Sequence, residues 1–310
     1  MGKVITIDTE YANFPEVASA YLIEEEGRGV VVETNTTHAI PRILKTMDSS
    51  GVKPQNLDYV IVTHVHLDHA GGAWALLEAC PNAILLAHPK TAKHLMDPSL
   101  LIRSATSVYG KENFDSLYGE IKPIPKERIR IMEDGEWLTW QDHSFQFIYT
   151  RGHANHHFCI YDRKTNGIYT GDSFGISYPH LENGKRFIFP TTTPTDFDSV
   201  EAKRSLDLIL ETGAEVAYLT HFGPIGDLKG KAEDLKEGLS LCQEAISQLG
   251  NVTKEERLPL MESKVENMIQ TLANKHSITL TELDWKLLRL DVNLNAQGLV
   301  YAFEKNQTKS

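Results

Sequence analysis

Thr63-His64-Val65-His66-Leu67-Asp68-His69-Ala70-Gly71-Gly72 is the stretch whose reading decides the fold. It follows a short apolar run, Leu57-Asp58-Tyr59-Val60-Ile61-Val62, of the length and bounding expected for a buried strand. It precedes Ala73-Trp74-Ala75-Leu76-Leu77-Glu78-Ala79, which has a helical pattern. The histidines therefore sit on a strand-to-helix loop. On an extended segment alternate side chains share a side, so His64 and His66 face one way while Val65 and Leu67 face the other. Two imidazoles two residues apart can reach one ion, and Asp68 and His69, at the turn into the helix, can face a second. A surface loop that merely happens to hold histidines explains one such residue. Three histidines and an aspartate within six positions exceed anything packing requires.

Further along, isolated His and Asp residues recur, each after a strand-like run. His153 lies in Thr150-Arg151-Gly152-His153-Ala154-Asn155-His156-His157-Phe158, Asp172 in Tyr169-Thr170-Gly171-Asp172-Ser173, and His221 in Tyr218-Leu219-Thr220-His221-Phe222-Gly223. Together with His64-Val65-His66-Leu67-Asp68-His69 these segments, in this order, resemble the H-x-H-x-D-H, Gly-His, Gly-Asp and final His motifs of the metallo-β-lactamase superfamily, over roughly residues 3 to 230. The resemblance implies an α/β fold, the αββα sandwich, expected here over residues 1–250, with a helical C-terminal extension over 251–310. It implies that His64, His66 and His153 hold a first metal, that Asp68, His69 and His221 hold a second, and that Asp172 bridges them. Two zinc ions are the expected cofactors, and iron or manganese suits the same donors. A water on such ions has a pKa near about 7, so no Ser or Cys nucleophile is needed. Asp68 is the expected catalytic residue, orienting that water or passing a proton to the leaving group.

The activity the resemblance implies is hydrolysis of a small thioester, ester or lactone, in the glyoxalase II-like branch. The competing expectation is an iron-dependent persulfide dioxygenase, whose family shares the motif but holds one iron with two His and one Asp. A third, a non-catalytic scaffold on the same fold, would normally have lost ligands, and none is lost here. Relatives often end the N-terminal hairpin in Asp-x-Gly beneath the metal loop. Val32-Glu33-Thr34-Asn35 stands there in this chain, so no support for the ligands is expected from this corner.

Composition bounds the rest. The chain has 310 residues, 41% of them hydrophobic, enough for one large domain with an appendage. A net charge of −11 without a Lys/Arg run argues against nucleic acid as a partner and for a small-molecule substrate. Cys80, Cys159 and Cys242 are too widely spaced for a Cys-x-x-Cys site and are expected as buried thiols of a cytoplasmic protein. No signal-peptide run opens the sequence, and no apolar stretch reaches membrane-spanning length. A homodimer, common among relatives, is compatible with all of this.

Around the motifs, strands are expected over 3–7, 18–24, 29–34 and 83–87, with two more flanking Asp134-Gly135 within 128–149. An amphipathic helix is expected over 37–49, with Ile40, Ile43, Leu44 and Met47 on one face. Asn166-Gly167 marks a hairpin turn. Residues 97–125, carrying Tyr109, Phe114 and Tyr118, read as broken helices over the cleft or in the core. His88 reads as a cap or core residue, His94 as exposed, and His156 and His157 as a surface and a strand residue. The patternless segment 173–198 is expected to shape the substrate pocket, with Tyr178 as the substrate-binding hydroxyl. Helices follow at 199–210, from about 228, at 254–275 and at 279–290, the last succeeded by an Asp/Asn-rich tail.

Overall fold

A computed structural model describes residues 3–181, 186–192 and 196–307, apart from the side chains of residues 108, 109 and 251. The Tyr109 side chain and part of the 173–198 segment thus lie outside the described residues. Among the described residues twelve strands form two six-stranded sheets. The first contains β1 (Lys3–Asp8), β2 (Ser19–Glu25), β3 (Arg28–Val32), β4 (Leu57–Ile61), β5 (Ile84–Ala87) and β6 (Ile129–Ile131), in that spatial order. The second contains β7 (Trp137–Trp140), β8 (His143–Tyr149), β9 (Phe158–Asp162), β10 (Gly167–Gly171), β11 (Val216–Leu219) and β12 (Gly223–Ile225), again in sequence order across the sheet.

Both sheets are covered on both faces, and the period of two along each strand divides the side chains between layers. In β2, Tyr21 and Ile23 enter the core between the sheets with Val30 and Val32 of β3, Phe147 of β8 and Phe158 of β9. Their neighbours Ala20, Leu22 and Val31 turn outward against α1 (Ile40–Ser49), where they meet Ile40, Ile43 and Met47. On the way from β4 to β6 the chain forms α2 (Leu67–Ala70), α3 (Ala73–Ala79), α4 (Pro89–Met96), α5 (Ser99–Tyr109) and α6 (Lys111–Tyr118). The outward face of the second sheet, including Ile168 and Ala217, is covered by α7 (Ser199–Glu211), α8 (Leu228–Ser247), α9 (Lys254–Lys275) and α10 (Glu282–Gln307). The result is the expected αββα sandwich. The apolar face of the three C-terminal helices continues directly into that of the second sheet.

Several expectations are corrected here. The 128–149 region makes three strands, because β6 completes the first sheet before the chain crosses to β7 and β8 in the second. The last helix is longer than the expected 279–290: α10 runs unbroken to Gln307, within the extension expected to be helical, its Asp291 and Asn295 serving tertiary contacts that override their weak helix propensity. Much of the 173–198 segment is core. Phe174, Ile176, Phe187 and Phe189 are buried, and Ile176 pairs with Phe189 in an isolated bridge. His94 is half-buried and not exposed. All three cysteines are buried and free. Among the described residues no helix is long and apolar enough to cross a membrane.

Candidate metal centre

Parallel pairing of β3 with β4 and of β10 with β11 brings their carboxyl ends to one end of the sandwich, and the alternation through β9 points β8 the same way. The loops leaving β4, β8, β10 and β11 carry the candidate ligands. The two sheets are tied together at this end. Phe158 donates its N–H to the Thr63 carbonyl at 3.0 Å, and Ser19 donates to that of Thr220 at 2.8 Å.

Two clusters of ligand atoms result. His64, His66, His153 and Asp172 form one, and Asp68, His69 and His221 the other, the atoms within each lying within 4.8 Å of one another. His66 Nδ1 is 2.8 Å from His64 Nε2 and 3.2 Å from His153 Nε2. Asp172 stands between the clusters, with Oδ2 3.2 Å from His153 Nε2 and Oδ1 3.3 Å from His69 Nε2 and 3.7 Å from His221 Nε2. Asp68 Oδ2 is 3.5 Å from His221 Nε2. All seven predicted ligands are therefore gathered, in the two groups the motif implied.

The donor set fits metal ions. His69 Nε2 and Asp172 Oδ1 are buried and face each other without a hydrogen bond between them, an expensive arrangement unless a cation satisfies both. Three imidazole nitrogens pointing at one another likewise lack enough protons to pair. Nitrogen and carboxylate donors suit zinc, iron and manganese alike. Electrostatics differ between the two clusters. Burial pushes His64 well below its usual value and His66 down to about 4, leaving both neutral, as ligation requires. At His69, burial is outweighed by the carboxylates of Asp172, Glu33 and Asp68, which raise it well above normal. Burial would raise Asp172, but His69, His153 and His221 hold it well below the carboxylate range.

The side chains behind the ligands explain their orientation. β3 ends at Val32, and Glu33, at φ +65°, swings its carboxylate beneath the ligand loop. There it accepts the Thr63 hydroxyl and lies 3.2 Å from His69 Nδ1. Thr34 donates N–H and Oγ1 to the His69 carbonyl, and Asn35 Nδ2 donates to that of Asp68, each at 2.9 Å. The Val32–Asn35 corner thus supports the metal loop, contrary to expectation: a glutamate reaches where the familiar motif places an aspartate. A β-carbon at Gly72 would stand 2.7 Å and 2.9 Å from the Thr36 and Thr34 carbonyl oxygens, so the second glycine of Gly71-Gly72 lets this corner press against the loop.

His157 is a second residue that sequence reasoning misassigned. It is fully buried, its Nε2 accepts the Asp172 N–H at 3.2 Å, and its Nδ1 lies 2.8 Å from Thr150 Oγ1 and 3.1 Å from Ser173 Oγ. At Gly171, φ is +49°, and a β-carbon would press into His157 and lie 2.5 Å from Thr63 Oγ1. The Gly-Asp motif therefore keeps its glycine to admit this histidine beside the bridging aspartate. His221 is aimed by its Nδ1, 2.9 Å from the Val17 carbonyl. Half-buried His156 stacks 5.9 Å from His64. His88 caps α4, accepting the Lys90 N–H at 3.1 Å. Phe114 and Tyr118 pack on Leu67, so α5 and α6 flank the ligand loop. Tyr178 is buried, and its hydroxyl donates to Asp291 of α10 at 3.2 Å.

A metal-binding αββα sandwich is the class that this fold and cluster define. The family model of the metallo-beta-lactamase superfamily matches residues 13–221, a span containing all seven clustered side chains, and the chain belongs to that superfamily. A metallo-beta-lactamase fold-containing protein, ST1585 of Sulfurisphaera tokodaii, is 29% identical over 231 residues, covering 73% of this chain and 80% of that protein. A crystal structure of ST1585, described as from Sulfolobus tokodaii, aligns with TM-score 0.66 at 23% identity, covering 96% of this chain and 98% of that one. TTHA1429 from Thermus thermophilus, a metallo-beta-lactamase family protein, aligns with TM-score 0.65 at 18% identity over 99% of this chain and 94% of that one. The hydroxyacylglutathione hydrolase of Aeromonas hydrophila is 25% identical over 162 residues, 52% of this chain but only 47% of that enzyme.

Proposed function

We propose that this protein is a hydrolase of small thioesters, esters or lactones that uses two zinc ions. The observation that carries the reading is the survival of both ligand groups, joined by a buried Asp172. The partial similarity to a hydroxyacylglutathione hydrolase agrees with the reaction class. His64, His66 and His153 would hold one ion, Asp68, His69 and His221 the other, and Asp172 both. Divalent ions so held supply Lewis acidity and a nucleophile derived from water at neutral pH.

The chain itself contributes orientation and proton handling. Glu33 fixes the His69 ring, the Val17 carbonyl fixes His221, and His157 holds the Asp172 backbone. Asp68, with its side chain 26% exposed, is the acid of the site that solvent and substrate reach most readily. In this reading Asp68 would hold the proton released from water and return it to the leaving sulfur or oxygen as the acyl bond breaks.

The test is turnover of thioester, ester and lactone probes by zinc-loaded protein, alongside Asp172→Ala. We expect hydrolysis in the native protein and a loss of about a hundredfold or more in the variant. Full metal content with no cleavage of any probe would refute the reading. The first cluster also contains a set of two His and one Asp, which suits a single iron. Oxygen uptake with glutathione persulfide by iron-loaded protein would favour that alternative.

A further inference from the structure

We infer that the outward face of α10 is a coiled-coil seam that pairs this chain with a second copy of itself, the two helices running parallel and in register. The inference concerns a surface, and it stands or falls independently of the reaction proposed above.

α10 is apolar on two opposite faces. Leu288, Val292 and Leu299 are buried on the inner one, in the core shared with the second sheet. The outer one carries Leu283, Leu287, Leu290, Leu294, Gln297 and Tyr301, at alternating intervals of four and three residues. That alternation is the heptad repeat, and it draws the narrow stripe of a helix–helix seam. Little of the stripe meets the interior. Leu283 is 74% exposed, Leu290 46% and Tyr301 39%. Leu287 and Leu294 are half-buried, Leu287 with an edge on the core. A single exposed leucine needs no explanation, but four in heptad series on one helix ask for a second helix. From Leu283 to Tyr301 the stripe runs about 27 Å, or about five turns.

The second helix is this same one because the seam and its borders complement themselves. Lys286 borders one side of the stripe and Asp291 the other, five residues further on. In a parallel pair these are the positions that face each other across the seam, so the lysine of each copy meets the aspartate of the other, twice by symmetry. Tyr178 occupies one oxygen of Asp291, at 3.2 Å, and leaves the other to the lysine. An antiparallel pair would instead bring the two Asp291 side chains together. Gln297, the single polar member of the stripe before Tyr301, meets its own copy in the parallel register, which selects that register over a slipped one.

The test is light scattering on the full chain after size exclusion at micromolar concentration, where we expect twice the 34.8 kDa of one chain. Leu283→Glu combined with Leu290→Glu sets four carboxylates in the seam and should weaken dimerisation about 100-fold or more. Both positions are exposed, so the circular dichroism of this variant should match that of the native chain. Leu290→Cys should form an intermolecular disulfide under mild oxidation, because the parallel register sets the two introduced thiols opposite each other while the three native cysteines are buried. A native chain that stays monomeric, a dimer untouched by the two glutamates, or a dimer that Leu290→Cys does not cross-link would each overturn the inference.

Discussion

Glu33 shows how a single side chain governs a ligand it never replaces. It is 1% exposed, accepts the Thr63 hydroxyl and faces His69 Nδ1, so it sets the ring orientation that leaves Nε2 pointing into the second cluster. Glu33→Gln keeps the volume but removes the charge and offers an amide donor to the ring. We expect the affinity for the second metal to fall about 10- to 100-fold while the first is held nearly as before, measured by chelator competition. Equal weakening at both sites would mean that Glu33 acts on the loop as a whole. His64, His66, Asp68 and His69 stood out because H-x-H-x-D-H is a local pattern, whereas His153, Asp172 and His221 were singled out by the resemblance of their segments to the family's motifs. Glu33 and His157 were not, because their roles arise from contacts made across strands.

At the level of elements, the strands preceding each ligand were readable as apolar runs, since both faces of each sheet are buried. The length of α10 was not, because polar residues in mid-helix look like a break until their partners are seen. The packing of α8 against α9 depends in part on Asp234, buried and bonded to Lys275 at 2.8 Å and to His276 at 2.8 Å. Burial would raise its carboxyl, but hydrogen bonds from Lys275 and His276 bring it below its ordinary 3.8. A carboxylate lowered by folding contributes stability above its unfolded pKa and loses it as pH falls through the folded value. Asp234→Asn should therefore cost about 1–2 kcal/mol at pH 7, Lys275 being well exposed, and the deficit should shrink below about pH 4. Thermal melts of both proteins across pH 2–8 would show it, and a deficit independent of pH would assign the loss to packing.

Across the whole molecule, the sandwich places four strand ends from two sheets at one pole and closes the outer face of the second sheet with the C-terminal helices. The C-terminal helices thus share one core with the second sheet. The most direct test of the dinuclear centre is anomalous diffraction from crystals grown with zinc. Two metal peaks are predicted per chain, one ligated by His64, His66 and His153 and one by Asp68, His69 and His221, with Asp172 reaching both. A single peak held by only part of this set, or none at all, would contradict the account.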